Sequence, residues 1–135
     1  MSHQTLQPSG WTPPRGYANG IAARGRLVFV AGQVGWDAAG RFASDRFADQ
    51  VRQALANVVA VLAEAGAQPQ HLVRLTWYVT HRDEYLADLA AVGAAYRAVI
   101  GRHYPTMSLV QVVALVEPRA KVEIEATAVI PDDPA

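Results

Sequence analysis

Apolar residues recur along this chain in two rhythms, and the changes between them lay out the elements. RLVFVAGQVG, Arg26 to Gly35, is rich in β-branched and aromatic residues and is bounded by Gly25 and Gly35, which predicts a strand. YANGIAARG before it predicts a short strand ending in a turn, and DAAGR after it a turn. The spacing then lengthens. Phe47, Val51, Ala54, Leu55, Val58 and Leu62 recur at helical intervals, predicting a helix that Ser44 or Asp45 caps and that runs to about Ala65. Gly66 stands in the usual C-terminal position. From Leu72 to Thr80 the period returns to two, with Leu72, Arg74, Thr76 and Tyr78 alternating with Val73, Leu75, Trp77 and Val79. A second helix is predicted from about Asp83 to Ile100, its inner stripe being Tyr85, Leu89, Val92, Tyr96 and Val99, closed off by Gly101 and Pro105. MSLVQVVALVEP reads as a strand, Pro118 and Arg119 as a turn, and KVEIEATAVI as a returning strand.

The resulting order, ββ-α-β-α-ββ, predicts an α+β domain with two helices on one face of a mixed sheet. One domain is expected over 1–135, with 1–16 a Pro- and Gly-rich N-terminal arm and 131–135 a polar tail. The sheet's second face carries Val, Leu, Trp and Ala as well as Glu, so burial against another subunit is expected there.

Composition narrows the function classes. Formal net charge is zero, and a sequence-independent nucleic-acid binder needs a basic surplus to displace counterions. No cysteine is present, which excludes disulfides and thiolate chemistry. The opening MSHQTLQPSGWTPPRG has no apolar run, and no run reaches the length of a membrane span, so a soluble, cytoplasmic protein is expected.

Candidate chemistry centres on the last strand. Glu123 and Glu125 share one face, about 6.6 Å apart along the chain. They form either a solvated outer face or, if a neighbour walls that face, a site in which an enclosed carboxyl passes protons near neutral pH. His3, His71, His81 and His103 are scattered in the sequence without metal-ligand spacing, so no metal is expected. No phosphate loop, nucleophile elbow or dinucleotide fingerprint appears, so no cofactor is expected. Trp36 and Trp77 read as packing residues, and Tyr17, beside Gly16 and Gly20, as a turn residue or a phenol reaching a pocket.

Taken in order, GYANG, VFVAGQVGWD, QVRQALANVVAVLAEAGA, LVRLTWYVTHRDEY, PTMSLVQVVAL and KVEIEATAVIP resemble the YjgF/YER057c/UK114 family, also called the Rid (reactive intermediate deaminase) family. The resemblance covers about Tyr17 to Pro131. It implies a chorismate-mutase-like fold and a homotrimer whose sheets line a central barrel, with a small-molecule cleft at each subunit interface. The implied activity is hydrolysis of enamine and imine intermediates to a keto acid and ammonia. Residue by residue, Tyr17 matches the tyrosine bordering the cleft, Gly32 the glycine whose backbone faces the ligand, and Glu123 the glutamate that handles protons and the attacking water. The resemblance gives Glu125 no catalytic role.

PTMSLVQV departs from the pattern. Deaminating members place an arginine two residues after the proline, to grip the substrate carboxylate in a fork. Here Met107 stands there. A carboxylate buried against a thioether without a partner costs several kcal/mol. Ala31 replaces a frequent serine, Leu109 a frequent cysteine, and Gly93 an asparagine found in some members, so the cleft is expected to be more apolar. Arg102 and His103, just before Pro105, are candidate substitute donors. Three functions follow. The first is a deaminase for an enamine or imine other than the usual 2-imino acids, with Glu123 as general acid and base and Tyr17 orienting the substrate. The second is a trimer that binds a small molecule without chemistry. The third, RNA cleavage as reported for some relatives, is disfavoured by the zero net charge and the lack of a histidine pair in the sequence.

Overall fold

The computed structural model describes residues 3–132. Its elements run β1 (Gln4–Leu6), β2 (Gly20–Ala22), β3 (Gly25–Val34), α1 (Phe47–Glu64), β4 (Leu72–Val79), α2 (Arg82–Ala87), α3 (Leu89–Val99), β5 (Thr106–Gln111) and β6 (Val122–Pro131). Four strands form one mixed sheet in the order β3-β6-β4-β5. β6 is antiparallel to β3 and β4, while β4 and β5, joined through α2 and α3, are parallel. β1 and β2 pair as a separate antiparallel ribbon, so the arm expected over 1–16 contains a strand.

The core lies between α1 and one sheet face. Val51, Ala54, Leu55, Val58 and Leu62 are fully buried, and Leu72, Leu75, Val79, Val122, Ile124 and Ala128 meet them from the sheet. Burying side chains of this size contributes about 1.5–3 kcal/mol each. Gln50, the buried polar residue of α1, holds the helix to the chain on both sides of it. Its Nε2 donates to the carbonyls of Ser44 and Arg119, both at 3.1 Å, and its Oε1 accepts from the Lys121 N–H at 2.8 Å. Gly66 ends the helix at φ +75, with the Ala67 N–H reaching back to the Leu62 carbonyl at 3.0 Å.

Four local expectations are corrected. α1 starts at Phe47 with Arg46 at the cap position and no side-chain cap. Ser44 instead donates to Asp49, and Asp45 pairs with Arg119 at 2.8 Å. The second helix is broken at Asp88, which leaves helical geometry (φ −134, ψ 36) and takes the Arg46 guanidinium at 3.3 Å. A register shift between Leu72 and Arg74 puts Leu72 on the buried face with Leu75, Trp77 and Val79, against the simple alternation. β5 stops at Gln111, and the segment beyond it leaves Val113 and Val116 fully exposed.

The second sheet face is open in the single chain. It presents Leu27 and Phe29, 57% and 72% exposed, together with Thr76, Tyr78, Glu123 and Glu125.

Candidate functional site

The sequence-predicted residues fall into three places. Met107 lies opposite Leu75 on β4, and Glu123 lies opposite Tyr78 on the same strand. Positions 75 and 78 differ by an odd number in an alternating strand, so the two side chains leave opposite faces. Met107 and Leu109 therefore join the helical side, and Glu123 the open side.

On the helical side is a cavity of about 650 Å³. Its floor is Met107, Leu109 and Trp77 from the sheet; α3 contributes Val92, Gly93, Tyr96 and Arg97. The segment before β2 supplies Arg15 and Tyr17. Tyr17 is positioned by its neighbour: Ala18 bridges to Thr106, and its N–H donates to the Pro105 carbonyl at 3.0 Å. Aromatic rings stack in series along the wall, Trp77 to Tyr96 at 6.5 Å and Tyr96 to Tyr104 at 5.3 Å. The Tyr96 hydroxyl donates to the His103 carbonyl at 2.6 Å, and burial pushes its pKa well above the usual phenol range. Trp77 is 4% exposed, and its Nε1 is a buried donor with no partner. The cavity is largely apolar and aromatic, with Arg15 and Arg97 as its charged lining residues.

On the open side Glu123 packs against Gly32. The β3 register slips between Val30 and Gln33, which brings Gly32 over the glutamate. A Cβ at position 32 would lie 2.7 Å from the Glu123 Cδ and 2.9 Å from its Oε2. Only glycine leaves the carboxylate where it is. Glu125 is differently employed. It accepts the Tyr78 hydroxyl at 2.7 Å, and that bond raises the phenol's pKa. Among the described residues Glu123 enters no ion pair. Ala31 borders a shallow hollow with Arg74 and Glu125 on this same side.

Arg102 and His103 go elsewhere. They line a second cavity of about 660 Å³, beyond Tyr17 and Tyr104, with His3 and His71. Histidines scattered in the sequence are thus gathered in space. The His103 Nε2 is 2.8 Å from the Leu72 carbonyl, and the His3 Nε2 is 3.3 Å from the His71 carbonyl. His71 Nδ1 accepts the Gln68 N–H at 3.0 Å. Desolvation, aided by the other two imidazoles, lowers the pKa of His71. Among the described residues no group of three or more His, Cys, Asp or Glu is placed to hold a metal ion. Sequence reasoning missed Arg15 and Arg97 as cavity residues; the signal for Arg97 was its place four residues after Gly93 on one helix face.

Comparison with known proteins places the fold in a family. The family profile described as Endoribonuclease L-PSP matches residues 11–130. The chain belongs to that family, the YjgF/UK114/Rid proteins. The 2-iminobutanoate/2-iminopropanoate deaminase of Salmonella typhimurium is 34% identical over 116 residues, covering 84% of this chain and 86% of the relative. Among solved structures, Rid-family YyfB from Yersinia pestis superposes with a TM-score of 0.84 at 36% identity, over 96% of this chain and 100% of that one. E. coli TdcF with bound serine superposes at 0.66 with 32% identity, over 96% and 98%. At the level of the family, then, the chain stands among the Rid deaminases, and a relative of the same fold binds a small molecule. No helix among the described residues is long and apolar enough to cross a membrane.

Proposed function

We propose that this Rid protein is a hydrolytic deaminase of an enamine or imine, and that its site is completed by a second copy of the chain in a homotrimer. One observation carries the reading. The sheet separates Glu123 and Gly32 from Tyr17, Met107 and Leu109, so one chain alone cannot assemble the residues the family pattern groups together. The exposed Leu27 and Phe29, farther along the sheet face that Glu123 shares, and Val113 and Val116 beyond β5, are the apolar surface that such an assembly would cover.

In the assembled cleft the cavity of one copy holds the substrate, with Tyr17 at its border, against Glu123 of the next. An enamine is first protonated on carbon by the glutamic acid, giving the iminium ion and the glutamate carboxylate. The carboxylate then takes a proton from water as the oxygen attacks the C=N carbon, and the proton passes to nitrogen. Collapse of the carbinolamine breaks the C–N bond as the carboxylate takes back the hydroxyl proton, leaving a carbonyl compound, ammonia and the glutamic acid. Met107 offers no fork for a carboxylate at the cavity floor, so the substrate differs from the usual 2-imino acids. The apolar floor equally supports a second reading, a trimer that binds a small apolar molecule without turnover.

The test is an imine-hydrolysis assay in which an amino-acid oxidase generates imines from a panel of amino acids and a trapping amine competes for them. Wild type, Glu123→Gln and Met107→Arg are run together. Any panel member that wild type turns over should be left untouched by Glu123→Gln while the oligomer survives. An active Glu123→Gln protein would refute the proton-transfer role. Wild type silent across the panel, with activity gained in Met107→Arg, would favour the binding trimer or a substrate without that carboxylate.

A further inference from the structure

Met107 shares its cavity with a guanidinium carried on α3. A Cβ at Gly93 would lie 3.1 Å from one terminal nitrogen of Arg97, so the Arg97 side chain runs back over the glycine along α3. That is the direction long helical side chains take, toward the preceding turn. Gly93 and Arg97 both line the cavity whose floor is Met107. Among the described residues Arg97 has no ion-pair partner. Arg15 also lines the cavity, but it precedes Gly16 (φ +77) in a segment outside any strand, whereas Arg97 is fixed on a helix. The cavity is therefore lined by an exposed cation and aromatic rings, and among the described residues the buried Trp77 Nε1 donor has no partner.

We infer that Arg97, admitted by Gly93, is the anion-recognition residue of this cavity, and that the ligand is a carboxylate carried on a large, flat apolar body. The inference rests on the reading of the cavity as the substrate half of the cleft. A small 2-imino acid with its carboxylate at the floor would meet the Met107 thioether. A longer ligand reverses the polarity: its body lies against Trp77, Tyr96 and Met107, and its carboxylate reaches the solvated rim, where a guanidinium fork waits. Desolvation is small there, so the ion pair adds selectivity rather than a large affinity. The substrate class is thus an aryl or extended unsaturated enamine or imine bearing a carboxylate.

Equilibrium binding to the full-length protein tests this without any turnover. The probes are trans-cinnamate, its neutral isostere cinnamamide, and butyrate, measured by calorimetry on wild type, Arg97→Gln and Gly93→Asn. Wild type should bind cinnamate about tenfold more tightly than cinnamamide, a typical gain for a charge-assisted hydrogen bond at a solvated site, and more tightly than butyrate. Arg97→Gln should remove the preference for cinnamate and leave cinnamamide binding unchanged. Gly93→Asn, which crowds the guanidinium, should reduce the preference. Equal binding of cinnamate and cinnamamide by wild type, a preference that survives Arg97→Gln, or no binding of either probe would each overturn the assignment. Cinnamate recognition that depends on Arg97, together with an imine panel silent in wild type, would leave this assignment standing and count only against hydrolysis of the panel's 2-imino acids.

Discussion

Gly32→Ala puts the geometry of the glutamate to a quantitative test. The new Cβ would sit 2.7 Å from Cδ and 2.8 Å from Cγ of Glu123. Carbon atoms are most comfortable at about 3.5–4.0 Å, so the carboxyl must withdraw by about 1 Å. The atoms displaced belong to the end of a flexible side chain, and the fold should lose only about 1 kcal/mol for an altered rotamer. Catalysis should suffer far more, because a reacting group misplaced by about 1 Å costs about 100-fold in rate. Gly35→Ala is the control. Its Cβ would lie 2.7 Å from the Gln50 Cα and 2.9 Å from the Gln50 carbonyl oxygen, both in the backbone of α1, which cannot turn aside. That overpacking should cost about 3 kcal/mol. Imine hydrolysis and thermal unfolding would be measured on both variants. The expected pattern is a stable, inactive Gly32→Ala and a destabilised Gly35→Ala whose folded fraction keeps its activity. A Gly32→Ala protein within about threefold of wild type, where about 100-fold is expected, would refute the argument that Glu123 must sit where the bulge puts it.

Two further outcomes follow from the same geometry. His71 has a folded-state pKa below its ordinary 6.5, so the unfolded chain binds more protons between the two values, and stability should be lost as pH falls through that window. Thermal midpoints followed from neutral pH downward should fall less steeply in His71→Asn than in wild type, and equal slopes would show that the imidazole's burial is immaterial. If pocket and glutamate come from different copies, Glu123→Gln and a cavity-filling Gly93→Trp should complement each other when refolded together at equal ratio. About a quarter of the sites, half times half, would then combine an intact cavity with an intact glutamate, and a mixture with no activity would refute the shared site.

The amphipathic stripe of α1 and the β-rich runs around it were legible because each conforms to one period over many residues. Two of the departures share a cause: each depends on a partner distant in sequence. Asp88 interrupts the second helix beside Arg46, on the N-terminal flank of α1. Leu72 changes face because β4 slips in register against β6. No local window contains either partner. Ser44 and Asp45 are good capping residues by type, yet one is engaged by Asp49 and the other by Arg119.

The same limit governs the site. The family pattern identified Glu123, Gly32, Tyr17 and Met107 as candidates, but their relation to one another is a matter of strand register, which a sequence does not state. Pairing of Met107 with Leu75 and of Glu123 with Tyr78 puts a whole sheet between them. Arg102 and His103 are close to Met107 in sequence, yet they line the histidine cavity rather than the one above Met107. Arg97, ten residues before Met107, lines the same cavity because α3 packs back over the sheet and Gly93 clears its path. In sequence, Met107 at the position where the deaminating pattern has an arginine leaves a new specificity and a lost catalysis equally open. With Gly93 and Arg97 lining the same cavity, the proposal of a new specificity gains a cation on α3, and a ligand turned end for end is the chemistry that such a placement would select.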